Sequence, residues 1–447
     1  MARTVVTLVT GLPRAARPRV GCGSTAIGLR RRCGVRGRQI SLANLERVLL
    51  RAVDFDDSPE QAAFRREARE WLEAHAPRRT EGDSGMSYLA GAIDEDVYLR
   101  QAREWQALLY DEGWAGITWP KEYGGRCGTA MQALIFSQEL RHFDPPDGAF
   151  VVGVAMAGPT LLAFGSAEQK QRYLRPMLRG EEIWCQLFSE PGAGSDLASL
   201  TTRAVRDGEE WVVNGQKVWT SGAHFSDFAI LLARTDPDAA KHRGISYFLL
   251  DMRSPGIEVR PLRQANGASH FNEVFLTDVR IPASGLVGEA GRGWSVAMST
   301  LGAERAVIGE GGAGPTVGQL VKWAKERDWT RGAGRDRVAN AVILARLLEF
   351  LGYRAQTKLA RGQDLSTDAS VMKLAFCHYL SVAAPLGIDV AGPRGMLSDQ
   401  YAGEALRWQQ YFLTQWSSRI GGGTEQIQRN IIAERILGLP PEPRPGA

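Results

Sequence analysis

Residues 183–200, IWCQLFSEPGAGSDLASL, decide how this chain divides, because the spacing of apolar residues changes there from helical to extended. Upstream, FRREAREWLEAH (64–75), EDVYLRQAREWQALLYDEG (95–113) and AMQALIFSQELRHF (130–143) place apolar residues three and four apart, the signature of one-sided helices. WPKEYGG (119–125) and DPPDG (144–148) supply the breaks. Downstream come short β-rich runs: EEWVVNGQKVWTS (209–221), DFAILLART (227–235), GISYFLLDM (244–252), IEVRPL (257–262) and NEVFLTDVRIP (272–282). Asn214-Gly215 lies between apolar runs and predicts a hairpin turn. After Gly293 helical spacing returns, clearest in VANAVILARLLEFLGYRAQTKLA (338–360). The expected fold class is therefore α+β, with helices at 53–182, a β domain at 183–290, helices at 291–438 and a Pro-rich tail at 439–447.

The 447 residues are 44% hydrophobic and 23% charged, ordinary values for a globular chain, and the formal net charge is +4. Residues 1–52 carry eleven Arg and no Lys against one acid, Glu46. The positive excess sits in that segment, the rest is net acidic, and no nucleic-acid partner is expected. At Val53 the composition changes abruptly. Ser58, Pro59 and Gln61 then compose an N-cap, a first helical proline and a capping box, as where a folded domain begins. Residues 1–52 thus read as a disordered basic extension, or as sequence upstream of a true start at a valine codon at position 53. Five cysteines at wide spacings, with no CxxC pair, predict a reduced intracellular protein. No run of about 20 apolar residues is evident, so no membrane span is expected, and a cytoplasmic location follows. His142, His242 and His270 lack ligand spacing, so no metal site is expected. GEGGAG (309–314) matches a dinucleotide-binding string, but it follows a helix rather than a strand and reads as a break between helices.

The glycines of QLFSEPGAGSDLASL allow close approach of backbone to a ligand, and Ser189 and Ser195 offer hydroxyls. Alone that is a weak signal. Joined in order to VNGQKVWTSGAH (213–224), KHRGISYFLLDM (241–252), FNEVFLTDVRIP (271–282) and GGGTEQIQRNIIAERILGLP (421–440), with GWAGITWPKEYGG (113–125) upstream, it closely resembles the acyl-CoA dehydrogenase family. The likeness extends from Val53 to about Pro440. It implies an N-terminal α-helical domain, a central β-barrel-like domain and a C-terminal four-helix bundle, with FAD held between the last two and a neighbouring subunit. By position, Leu187, Phe188, Ser189, Gly194 and Ser195 match the segment along the flavin ring and pyrophosphate. Trp219, Thr220 and Ser221 match the strand beside the flavin, and Thr424 and Gln426 match the bundle turn that contacts FAD. Ser195 and Arg305 match positions touching the CoA portion of a substrate.

Removing an α-proton from a thioester needs a carboxylate in a water-poor cleft. Many family members carry it in a Tyr-Glu-Gly-Thr turn, but this turn reads Ile420-Gly421-Gly422-Gly423-Thr424, with Gly422 at the usual place of the base. A minority carry it on an earlier helix in a pattern ending Glu-Arg, which MSTLGAERAVIG (298–309) resembles. Glu304 is therefore the candidate base. Glu425 is a nearby rival, expected to be exposed. A further departure is WTRGAGRDRVANAV (329–342), which lacks the Phe-Gly and Gln of many relatives that reach a neighbour's FAD.

The resemblance implies α,β-dehydrogenation of an acyl-CoA to the trans-2-enoyl-CoA, within fatty acid β-oxidation or related lipid metabolism, with electrons passed to an electron-transfer flavoprotein. It implies a homo-oligomer (dimer or tetramer) or a hetero-oligomer with a paralogous subunit. Alternatives are the catalytic subunit of a heteromeric steroid-side-chain dehydrogenase, an oxidase or monooxygenase on the same fold, and a silent binding subunit.

Overall fold

The computed structural model describes residues 57–79, 94–146, 148–309, 317–363, 366–397 and 402–441. The basic extension, the start proposed at Val53, most of GEGGAG and the last six residues of the tail lie outside these, as does the side chain of Arg305.

The N-terminal helices are α1 (Pro59–His75), α2 (Glu95–Asp111), α3 (Ala130–Leu140), α4 (Gly158–Phe164) and α5 (Ala167–Arg179). α1 starts where its sequence says it should: Ser58 Oγ accepts from the Gln61 amide while Gln61 Oε1 accepts from the Ser58 amide, so two orphan helix donors are satisfied. Its apolar face, with Phe64, Ala68 and Leu72, is buried against Trp114, Ile135 and Phe136. Glu139 of α3 is also buried, but it accepts hydrogen bonds from Arg65 and Arg69 of α1.

The middle region is one eight-stranded sheet: β1 (Trp184–Leu187), β2 (Arg203–Asp207), β3 (Glu210–Ser221), β4 (Phe228–Arg234), β5 (Ile245–Asp251), β6 (Ile257–Leu262), β7 (Phe271–Pro282) and β8 (Leu286–Val287). Hydrogen bonding runs β6-β7-β3-β2-β4-β5-β8, with β1 parallel to β4. Two faces of β4 and β5 are buried in different places, which explains their unbroken apolar runs. Ile230, Leu232, Tyr247 and Leu249 pack on the N-terminal helices, whereas Leu231, Phe248 and Leu250 meet Val213, Val274 and Val279 from β3 and β7. The sheet thus curls around its own core in a barrel-like way, but its path is open, ending at β6 and β8.

Asn214-Gly215 is not a hairpin turn. It lies inside β3 at a register shift against β7. The turn between β2 and β3 is Gly208-Glu209, with Asp207 paired to Glu210 and Gly208 at φ +59°. Asn214 instead caps the bulge with its side chain: Nδ2 donates to Asp278 Oδ1 and Oδ1 accepts from the Asp278 amide. Gly215 is needed because a Cβ there would fall 2.3 Å from Thr202 Oγ1. The dipeptide is the same, but it serves close strand packing rather than reversal.

The C-terminal helices are α6 (Gly293–Gly309), α7 (Val317–Glu326), α8 (Gly332–Ala360), α9 (Ser366–Ala391), α10 (Ala405–Ile420) and α11 (Glu425–Ile431). Leu320, Trp323, Phe376, Leu380, Ala383 and Trp408 form their core. The segment Asp368–Met396 is long and apolar enough to cross a membrane by length and composition, contrary to the sequence reading. Its apolar side chains are the core of the bundle, with Ala383 and Leu386 buried among the neighbouring helices.

Candidate functional site

Three segments carry the expected site residues: the loop after β1, the end of β3, and the turn between α10 and α11. In the first, Leu187 and Phe188 have fully packed side chains on opposite faces of the sheet. Only their backbone is available to a ligand, and the Phe188 carbonyl accepts from Lys217 Nζ at 3.0 Å. Ser189 O accepts from the Val218 amide, which ties this loop to β3. A tight bridge between Glu190 and Ala193 then turns the chain, leaving Gly194 and Ser195 exposed, with open space where a Cβ at Gly194 would stand.

Beneath the loop, a buried ion pair joins Glu190 to Lys217 at 2.9 Å, with Lys217 0% and Glu190 5% exposed. The Glu190 carboxylate also accepts from the Thr201 and Thr202 amides and the Thr201 hydroxyl. Burial opposes its ionisation, but the Lys217 charge and these donors outweigh it and hold Glu190 at about 2. Burial pulls Lys217 below its ordinary value; the ion-paired state is the one the donor set supports, since the carboxylate is surrounded by hydrogen-bond donors.

The end of β3 carries a second irregularity, a register shift between Lys217 and Thr220. Trp219 sits in it at φ +63°, a conformation rare for an aromatic residue, with its ring 62% exposed and edge-on to Phe271. Thr220 is buried, and its Oγ1 has no partner among the described residues; Ser221 is exposed. The Thr220 carbonyl is held by Asn272 Nδ2, whose Oδ1 faces His224 Nδ1 at 3.1 Å, while His224 Nε2 meets Glu95 of α2 at 2.8 Å. A chain of side chains therefore anchors the bulge to the N-terminal helices. An exposed indole, adjacent hydroxyls and a glycine loop suit a flat, heteroatom-rich ring with an anionic tail, so these residues fit a flavin nucleotide.

On the bundle side, Thr424 caps α11 through the Ile427 amide, and Gln426 is exposed. Gly422 and Gly423 have φ +65° and +92°, a backbone region costly for residues with a Cβ. The turn is fastened from several sides: Gln428 Nε2 donates to the Gly422 and Gly423 carbonyls, and Lys373 Nζ donates to those of Ser418 and Gly421. Glu425 is not exposed as expected, but half-buried and paired with Arg419 at 2.8 Å. Glu304, half-buried on α6, lies one turn beyond Thr300, which is buried against Thr160 and Tyr247 hydroxyls. Both Glu304 and Glu425 act electrostatically on Lys373, so α6, α9 and the glycine turn converge.

Sequence reasoning missed Lys217, Glu190, the His224–Asn272 chain and Lys373. Two signals were present: Lys217 occupies an inward position of an alternating strand, and Lys373 interrupts an otherwise apolar helical face.

The expected site residues thus lie on two supports, a sheet with an exposed indole beside a glycine loop and a helical bundle with a fastened glycine turn. The chain belongs to the acyl-CoA dehydrogenase family, a family of flavoproteins: the models of its N-terminal, middle and C-terminal domains match residues 58–181, 185–279 and 291–437. It is 38% identical over 393 residues to acyl-CoA dehydrogenase IpdE1 of Mycobacterium tuberculosis, covering 85% of this chain and 98% of that one. Among solved structures it resembles the Tcur3481-Tcur3483 steroid ACAD, with a TM-score of 0.73 and 29% identity over 87% of this chain and all of the other. It also resembles the ChsE4-ChsE5 complex from Mycobacterium tuberculosis, with a TM-score of 0.70, 29% identity and the same coverage.

Proposed function

We propose that this protein oxidises an acyl-CoA thioester to its trans-2-enoyl-CoA, with Glu304 taking the proton from the α-carbon. The observation that carries this reading is the convergence of Glu304, from α6, with the Gly421–Thr424 turn, where the family's usual carboxylate is replaced by Gly422. Bound FAD supplies a hydride acceptor for the β-carbon. Trp219, Thr220 and Ser221 would hold its ring, together with the Leu187–Ser189 backbone, and Gly194, Ser195, Thr424 and Gln426 would hold the rest. Ser195 and Arg305 would contact CoA. Thr160 of α4 hydrogen-bonds Thr300 at 2.8 Å and so fixes α6 one turn before Glu304.

Glu304→Gln keeps the side-chain size and removes the base. Anaerobic mixing with acyl-CoA is expected to reduce its flavin some 10²- to 10⁴-fold more slowly, the usual contribution of a positioned general base, while FAD and acyl-CoA still bind. A wild-type rate in this variant, with loss in Glu425→Gln, would reassign the base. Gly422→Glu restores the common position, but its left-handed backbone limits that rescue to part of the activity.

A second reading is a catalytic subunit of a heteromeric steroid-side-chain dehydrogenase. The names of the structural neighbours favour it, as does a stripe of exposed Ile343, Leu347 and Phe350 at i, i+4 and i+7 on α8, which suits burial against another chain. Electron-transfer flavoprotein as acceptor and a cytoplasmic location belong to either reading. Flavin loss on dissociation to monomer, followed by light scattering and absorbance, tests the shared-site part; a monomer that keeps its flavin contradicts it.

A further inference from the structure

Lys373 is fully buried on α9, and nothing in the reaction as described so far uses it. A buried ammonium is costly unless its surroundings answer its charge. Two of its three N–H donors are accounted for by the carbonyls of Ser418 and Gly421, at the C-terminal end of α10, where helix carbonyls carry partial negative charge. No carboxylate oxygen among the described residues lies within ion-pair distance of it, in contrast to Lys217. The ionisable groups that act on it are Cys377 on its own helix, Glu304 from α6 and Glu425 from α11, and Arg419 from α10 acts on Cys377. Arg419 and Glu425 bond each other, and across the packing of α6 on α9 the cation of Lys373 also acts on Glu304.

We propose that Lys373 is a positioning residue for the dehydrogenation, clamping the Gly421–Thr424 turn through two carbonyls while its charge keeps Glu304 ionised and ready to accept a proton. The proposal rests on the assignment of Glu304 as base. The clamp matters because two left-handed glycines leave that turn with little stiffness of its own. The charge matters because a carboxylate entering a dry cleft takes up a proton unless a cation is near. Burial lowers the proton affinity of Lys373 itself, and Cys377, Glu304 and Glu425 act in the opposite sense.

Two substitutions separate clamp from charge. Lys373→Gln keeps N–H donors for the carbonyls but loses the charge; Lys373→Met loses both. The expected result is that both variants need a higher pH to reach half-maximal anaerobic flavin reduction, by about one unit, and that only Lys373→Met also has a lower plateau rate. A second measurement needs no turnover: with ¹³C-labelled glutamate in the flavin-containing protein, the carboxyl resonance missing from Glu304→Gln identifies Glu304. Its titration midpoint is expected to rise in both lysine variants. An unchanged midpoint in Lys373→Gln overturns the proposal, and so does a lower plateau with no shift of the pH limb. Should Glu304→Gln reduce flavin at the wild-type rate, the base assignment fails instead, and the resonance experiment still reports whether Lys373 governs that carboxylate. If Lys373→Met does not fold, Lys373→Gln carries both readouts.

Discussion

Two lysines, Lys217 in the sheet and Lys373 in the bundle, are equally inaccessible to water, yet their surroundings solve the cost of burial in opposite ways. Lys217 has a dedicated carboxylate at 2.9 Å, itself fixed by three donors from Thr201 and Thr202. Among the described residues Lys373 has only carbonyls within hydrogen-bond reach, and it feels its carboxylates at a distance. The first arrangement stores structure, since the lysine charge is answered by a carboxylate at hydrogen-bond distance. The second leaves charge directed into the proposed active site. Burial of a charged group is thus not itself a functional signal; what its partners leave unanswered is.

The contrast can be broken by stability measurements. Lys217→Met strands the Glu190 carboxylate in the sheet and is expected to cost about 3–5 kcal/mol, as for one-sided removal of a buried pair. Lys373→Met strands no hydrogen-bonded carboxylate, so its cost is expected to stay near the 1–3 kcal/mol of unpaired carbonyls. Urea denaturation at neutral pH compares them, and equal losses would erase the distinction.

Acid sharpens it further. Glu190 has a folded value depressed to about 2 from an ordinary 4.5. Its stabilisation is therefore complete above the unfolded value, declines as pH falls below it, and is gone below the folded value. Glu190→Gln is expected to flatten that acid limb between about pH 4.5 and 2, at an overall cost in stability at neutral pH. Denaturation midpoints at pH 6 and pH 3 measure it, and an undiminished pH dependence in the variant would show that other carboxylates dominate.

The smallest effect concerns the glycines of the two regions. Gly215→Ala presses a methyl group into Thr202 and is expected to cost about 1–3 kcal/mol as overpacking, with flavin content unchanged. Gly423→Ala places its Cβ 2.6 Å from the flexible amide of Gln428, which can move, so strain from the φ of +92° is the main term, about 1–2 kcal/mol. Its larger effect is expected on flavin retention, read by absorbance. Flavin loss in the Gly215 variant but not the Gly423 variant would invert the assignment of roles.

Much of the fold was legible because it follows from local pattern. Capping residues at Ser58, period-3.6 spacing in 338–360 and strand runs such as AILLA are properties of contiguous sequence. The departures had non-local causes. Asn214-Gly215 reads as a turn until Thr202 and Asp278, distant in sequence, are seen to occupy its two sides. The Asp368–Met396 segment reads as membrane-compatible by composition, and only its neighbours make it a bundle core. Leu187 and Phe188 matched a cofactor-lining segment by position, but their side chains point into packed cores and leave only backbone for a ligand.

The sequence by itself determined the order of helical, β and helical regions, the family, and the presence of glycine at position 422 and glutamate at position 304, because motif order and residue identity are one-dimensional facts. Only the tertiary structure decided that Trp219 stands exposed on a strained bulge and that Glu190 and Lys217 neutralise one another. It likewise decided that Glu304 shares its surroundings with the buried Lys373. Electrostatic energy depends on distance and on exclusion of water, and neither exists until residues from different elements, such as Glu190 and Lys217 or Glu304 and Lys373, have packed together.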